Sequence, residues 1–159
     1  MPTELELAGR LGAALVLGGA IGLERELTGQ VAGLRTHMSV ALGAALFGIV
    51  SAYGWNEFAA VRAQTNVQID VTRVASNIVT GVGFLGGGAI LRSGREVIGM
   101  TTAATIWVNA AIGMAVGFGE STLAISATGI TLMVLGVLPP IERYFDRRIA
   151  IPPQQTPEH

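Results

Sequence analysis

The sequence predicts an all-α fold, a polytopic bundle of about five transmembrane helices, and three observations predict it. Half of the 159 residues are hydrophobic while only 13% are charged, against about a quarter in an ordinary soluble domain. The mean hydropathy is positive. The charges gather in clusters separated by long uncharged stretches, as repeated passage through hydrocarbon requires. One domain, residues 1–149, houses all the stretches, and residues 150–159 form a tail.

Each crossing needs roughly 17 to 25 apolar residues. The first stretch, about 5–23, contains Arg10, whose head must snorkel to the near surface. Glu4 and Glu6 stand where a signal peptide would be basic, so this segment is expected to stay as a span. The second, 38–55, is uncharged and ends in Tyr53 and Trp55, side chains that settle at headgroup level. The third is 74–91 and the fourth about 97–119. The fifth, 121–138, is expected to stop at Pro139-Pro140, where two amide donors are missing. Beyond it, Ile141–Ile149 reads as a short amphipathic helix on the membrane surface. The tail, with Pro152, Pro153 and Pro157, reads as disordered.

Alternating five spans places Arg25, Arg35, Arg92, Arg95, Arg143, Arg147 and Arg148 on one side, and Arg10, Arg62 and Arg73 on the other. The arginine-rich side is expected to be cytoplasmic, with the N-terminus outside and the C-terminus inside. The net charge of −1 gives no footprint for nucleic acid. All ten basic residues are arginine. Their planar forks suit carboxylates or lipid phosphates, although a biased base composition of the gene would give the same pattern. With no cysteine, disulfides and thiol chemistry are excluded.

Gly18 and Gly22, Gly83 and Gly87, and Gly113 and Gly117 are spaced by four within spans, and Ala14 extends the first pair by a turn. Helices in lipid gain little from the hydrophobic effect on meeting, so small residues that admit close backbone approach supply the contact. These faces are expected to pack the bundle and, in part, a second subunit, a dimer first of all. The rival reading is that glycine is simply common in membrane helices.

Three polar groups interrupt the apolar pattern. Glu24, Arg25, Glu26, Arg35, Thr36 and His37 fall in one loop between the first two spans. They form either a fixed ion-pair network or an ordinary solvated loop. Asp70, Arg73 and Asn77, spaced by three and four, lead into the third span with Thr80 next along. Polar residues at that place read as a functional site or as a helix cap with a snorkelling arginine. Thr101, Thr102, Thr105 and Asn109 lie in the fourth span, where hydroxyls and an amide can bond neighbouring helices.

Gly81-Val-Gly83-Phe-Leu-Gly86 satisfies a dinucleotide-binding pattern, but it sits inside an apolar run with no acidic residue about 20 positions on. It reads instead as a closely packed or broken helix at Gly86-Gly87-Gly88. Neither His37 nor His159 accompanies a recognisable nucleophile. No catalytic residue, metal site or cofactor is therefore expected.

The stretches Gly19–Glu26, Ala32–His37, Ala41–Phe47, Arg73–Ile90, Gly99–Trp107 and Ala111–Gly113, in this order and spacing, resemble the MgtC/SapB family of bacterial membrane proteins. The resemblance implies an inner-membrane location and a link to growth in low magnesium and, in some pathogens, to survival inside macrophages. It also implies action by restraining the F-type ATP synthase rather than by carrying magnesium. Glu24, Arg25, Glu26, Arg35, Thr36, Asp70, Arg73, Asn77, Thr101 and Thr102 fall on or beside the family's motif positions. Two departures stand out. Long family members carry a soluble C-terminal domain, which this chain is expected to lack, and Asn77 stands where glutamine is usual. The expectation is a non-enzymatic regulator acting through membrane-protein contacts, with an ion transporter or channel as the alternative.

Overall fold

A computed structural model describes residues 1–54, 70, 72–93 and 96–149. Trp55, Arg62, Arg95 and the tail 150–159 lie outside the described residues. Five helices make up the architecture: α1 (Glu4–Leu27), α2 (Leu34–Tyr53), α3 (Thr72–Ala89), α4 (Met100–Phe118) and α5 (Ser121–Ile149). Between α3 and α4 an antiparallel hairpin pairs β1 (Leu91–Ser93) with β2 (Glu96–Ile98), with Leu91 opposite Ile98.

Helix α1 opens on Thr3, whose hydroxyl accepts the Glu6 N–H at 3.2 Å, and the first-turn glutamates Glu4 and Glu6 complement the positive end of the dipole. It closes one turn later than its apolar run. Glu24, Arg25 and Glu26 are thus helical, not part of a loop, and residues 28–33 alone connect to α2. The stop is a Schellman turn: Gly29 adopts a left-handed φ of 71°, its N–H donates to the Glu26 carbonyl, and Gln30 N–H donates to the Arg25 carbonyl. The same device ends α4, where Gly119 at φ 96° turns the chain directly into α5.

Two expectations based on helix breakers are corrected. Gly86-Gly87-Gly88 does not break α3, which ends after Ala89. Pro139-Pro140 does not end the last span, because α5 continues through both to Ile149. The proline ring fixes a φ that suits a helix, and α5 continues despite two missing amide donors and the crowding of each ring against the carbonyl one turn back. Residues 141–149 are therefore the continuation of α5, not a separate surface helix.

The core is where α1, α2 and α4 meet. A Cβ on Gly18 would stand 3.0 Å from the His37 carbonyl oxygen, and one on Gly22 would stand 2.9 Å from the Leu34 Cα. On Gly113 and Gly117 it would overlap the carbonyl oxygens of Ala41 and Ala45. These two glycine pairs bring three backbones together within one chain. Gly83 and Gly87 differ: no neighbouring atom lies within 4 Å of a Cβ at either. Helix α5 lays a thin stripe of Ala124, Thr128 and Leu135 on the others, and the Thr128 and Thr131 hydroxyls donate to their own helix carbonyls at 2.8 and 2.7 Å.

Outside, the polarity is that of a protein in lipid. Val16, Phe47, Trp107, Leu123, Ile130 and Met133 are exposed, whereas His37, Thr102, Thr105 and Asn109 are buried. Among the described residues four helices are long and apolar enough to cross a membrane: Glu4–Leu27, Leu34–Tyr53, Met100–Phe118 and Ser121–Glu142. The third predicted span forms the 18-residue α3, but Arg73, Ser76, Asn77 and Thr80 make its first half polar.

Candidate functional site

At the end of the bundle where α1 turns into α2, the structure assembles a polar cluster. Arg25, on the last turn of α1, is only 5% exposed. Its Nε and Nη2 both donate to the Glu24 carboxylate, the second at 2.7 Å. This two-pronged pairing is the one Arg makes best, and it joins two of the four charged residues that the sequence groups here.

Glu26 does something different. Its Oε2 accepts the Leu34 N–H at 2.7 Å, so this carboxylate caps α2, whose own N-cap Gly33 has no side chain to do so. Glu26→Ala is expected to lower stability by about 1 kcal/mol, read as an earlier thermal transition of the purified protein, with Glu26→Asp unable to restore it because the reach from α1 is lost.

Arg35 and Thr36 fall in the first turn of α2 and are exposed. Next to them His37, expected only as a loop residue, is fully buried. Its Nδ1 lies 2.9 Å from the Gly33 carbonyl, which can only accept, so Nδ1 carries hydrogen. Nε2 then faces Thr105 Oγ1 at 3.3 Å. The Thr105 hydroxyl donates to the Thr102 carbonyl at 2.9 Å, and Asn109 Nδ2 donates to the His37 carbonyl at 2.6 Å, tying α4 to α2. Thr102 Oγ1 reaches towards Gln30 Oε1 at 3.5 Å. Asn109 Oδ1 is buried with no partner among the described residues.

The predicted groups are thus redistributed. Thr102, Thr105 and Asn109 join Glu24, Arg25 and Glu26 at this end, while Thr101, one position round the helix, is exposed. Asp70, Arg73 and Asn77 do not join them, because α3 runs with its Ala89 end towards the start of α4. The Asp70 carbonyl accepts the Arg73 N–H at 3.3 Å, and Arg73 and Asn77 are exposed on α3. At that same far end the Arg10 head is held by protein groups: Nη1 donates to the Tyr53 hydroxyl at 2.9 Å and to the Gly117 carbonyl at 3.1 Å, and Nη2 meets Glu6.

Sequence reasoning grouped His37 with the polar loop but gave it no role in the site, and left out Gln30. The available signal was the spacing of Thr102, Thr105 and Asn109 by three and four, which puts three polar side chains on one helical face in search of partners.

With this arrangement in hand, comparison with known proteins is decisive. The sequence profile of the MgtC family matches residues 11–144. The chain belongs to the MgtC family. It is 50% identical to the Escherichia coli K12 protein named "Putative magnesium transporter YhiD" over 128 residues, 80% of this chain and 58% of that protein. It is 40% identical to the Protein MgtC of Brucella abortus strain 2308 over 131 residues, 82% of this chain and 50% of that protein. Protein SrpB of Synechococcus elongatus is 42% identical over 149 residues, 87% of this chain and 78% of SrpB. The chain therefore spans between half and three fifths of the length of the Brucella MgtC and of YhiD. No solved structure matches it. Family membership and four long apolar helices together make it a membrane protein.

Proposed function

We propose that this protein is a non-enzymatic regulator of the bacterial inner membrane, serving magnesium homeostasis through contact with a second copy of itself or with a larger membrane complex. Membership of the MgtC family and the magnesium-related name of YhiD support the field of action. The F-type ATP synthase is the complex the family resemblance favours, and adaptation to magnesium limitation or to life inside a host is the setting. The N-terminus lies outside and the C-terminus in the cytoplasm in this reading, so the Glu24–His37 cluster is cytoplasmic.

The observation that carries the contact mechanism is the outward face of α3. Arg73, Ser76, Thr80, Gly83 and Gly87 recur along one side of that helix and are exposed. In hydrocarbon, a helix with hydroxyls and bare glycine backbone on its surface is best covered by another helix. Gly18 and Gly22 are occupied inside the chain and do not serve this purpose.

The cysteine-free sequence makes the test direct. Gly83→Cys or Gly87→Cys in membranes is expected to give a disulfide-linked dimer, or a crosslink to a partner protein, on oxidation. Cysteine at Ile130, on the exposed side of α5, is expected to give neither. Equal yields from all three positions would remove the mechanism.

The second reading, transport of magnesium or another ion, is favoured by the YhiD name. Among the described residues no three carboxylates or histidines group together, so such a path would rest on one or two carboxylates with water. Magnesium flux into proteoliposomes containing this protein alone would replace the first reading with the second.

A further inference from the structure

Helices α2 and α3 do not close on each other over their length. Between them lies an open groove of about 740 Å³, with Val40, Ala44, Ile78 and Val82 along its floor and Phe47 and Leu85 at its rim. Gly43 and Gly81 also line it, and no neighbouring atom lies within 4 Å of a Cβ at either. Its surface is almost wholly apolar, with Ser39 at one end and Asn77 towards the other.

Three features choose the occupant. The groove follows α2 from Ser39 to Val50, a rise of about 17 Å at 1.5 Å per residue, close to one leaflet of a hydrocarbon core about 30 Å thick. Its volume suits a small organic ligand, for which sites run to about 300–1,000 Å³. A second transmembrane helix, about 10 Å across, would need on the order of 2,000 Å³ over 18 residues. One turn before Ser39 stands Arg35, exposed and without an acidic partner among the described residues, with the Thr36 hydroxyl beside it.

We propose that this groove binds an anionic phospholipid of the leaflet at that end of the bundle, its acyl chain lying between α2 and α3 and its phosphate held by Arg35 and Thr36. The guanidinium fork offers two parallel donors to phosphate oxygens, and basic side chains at the mouth of pockets between membrane helices recognise such headgroups. The groove is an annex to the polar cluster, since Arg35 lies two residues from His37 on α2. An occupant there would bear on the α2 start that Glu26 caps.

The test uses the whole 159-residue chain with Trp55→Phe, Trp107→Phe and Phe47→Trp, leaving one tryptophan at the groove rim. It is reconstituted with lipids carrying brominated acyl chains, which quench nearby tryptophan. Brominated phosphatidylglycerol is expected to quench with about fivefold higher relative affinity than brominated phosphatidylcholine, as one arginine near the surface confers. Arg35→Gln is expected to bring the ratio to about one while quenching persists. Gly43→Leu, filling the groove, is expected to weaken quenching by both lipids. Elution as a folded species in mild detergent is the control for each variant. An unchanged ratio in Arg35→Gln overturns the headgroup assignment. A tryptophan that neither lipid quenches shows that protein covers the groove, and overturns the proposal altogether.

Discussion

Replacing Gly113 with leucine is expected to destabilise the bundle by about 3 kcal/mol or more, at the upper end of what overpacking costs. The reason is that the obstacle is backbone. A side chain in the way can change rotamer, but the Ala41 carbonyl oxygen and Cα, the latter 2.8 Å from the Cβ position, belong to the middle of α2. To admit a side chain, α4 must retreat from α2, and the bond from Asn109 to the His37 carbonyl and the contact of the His37 ring with Thr105 are then lost. The measurement is the thermal transition of detergent-purified protein, followed by loss of the monodisperse elution peak. Gly83→Leu is the matched comparison. It adds the same atoms to α3 where no neighbour stands within 4 Å, and is expected to shift the unfolding free energy by no more than about 0.5 kcal/mol.

The second large effect concerns the Glu24–Arg25 pair. Removing the carboxylate by Glu24→Ala leaves a guanidinium that is 5% exposed, and an orphaned buried charge costs about 3–5 kcal/mol. The double variant Glu24→Ala with Arg25→Met is expected to recover most of that loss, because an apolar side chain of similar length needs no partner there. A double variant no more stable than Glu24→Ala would mean that Arg25 is held mainly by contacts of its stem. Denaturation of the two variants side by side distinguishes these outcomes.

Much of the fold was legible because hydrocarbon restricts the possibilities. Long uncharged runs must be helices there, since every backbone group has to be satisfied within the segment. The ends were less legible. The apolar run stops near Leu23, but α1 continues to Leu27 because Arg25 finds Glu24 and the Schellman turn at Gly29 comes only afterwards. Pro139 and Pro140 read as a stop, yet their φ is compatible with the helix they interrupt. The spacing of Gly113 and Gly117 announced a packing face correctly, and the same spacing at Gly83 and Gly87 lies on the outside. The pattern records that a helix admits close approach, not which helix approaches.

The site was half visible. Glu24, Arg25 and Glu26 stood out as charges beside an apolar run, and Thr102 belonged to a polar stripe. His37 did not stand out, because its ring partner Thr105 is 68 positions away and its importance arises only when α4 packs on α2. Asp70 and Arg73 looked equally eligible in the sequence, and direction of travel along the bundle sends them to the other end.

At that other end, Arg10 reaches from α1 to the last turns of both α2 and α4. Since Glu26 and Asn109 already join the same three helices at the near end, the trio is lashed at both extremities and can tilt only as a single block. Helices α3 and α5 carry no such lashing to one another among the described residues. A partner leaning on α3 would slide that helix along a fixed wall, widening or narrowing the cleft beside it, and would leave the buried histidine undisturbed.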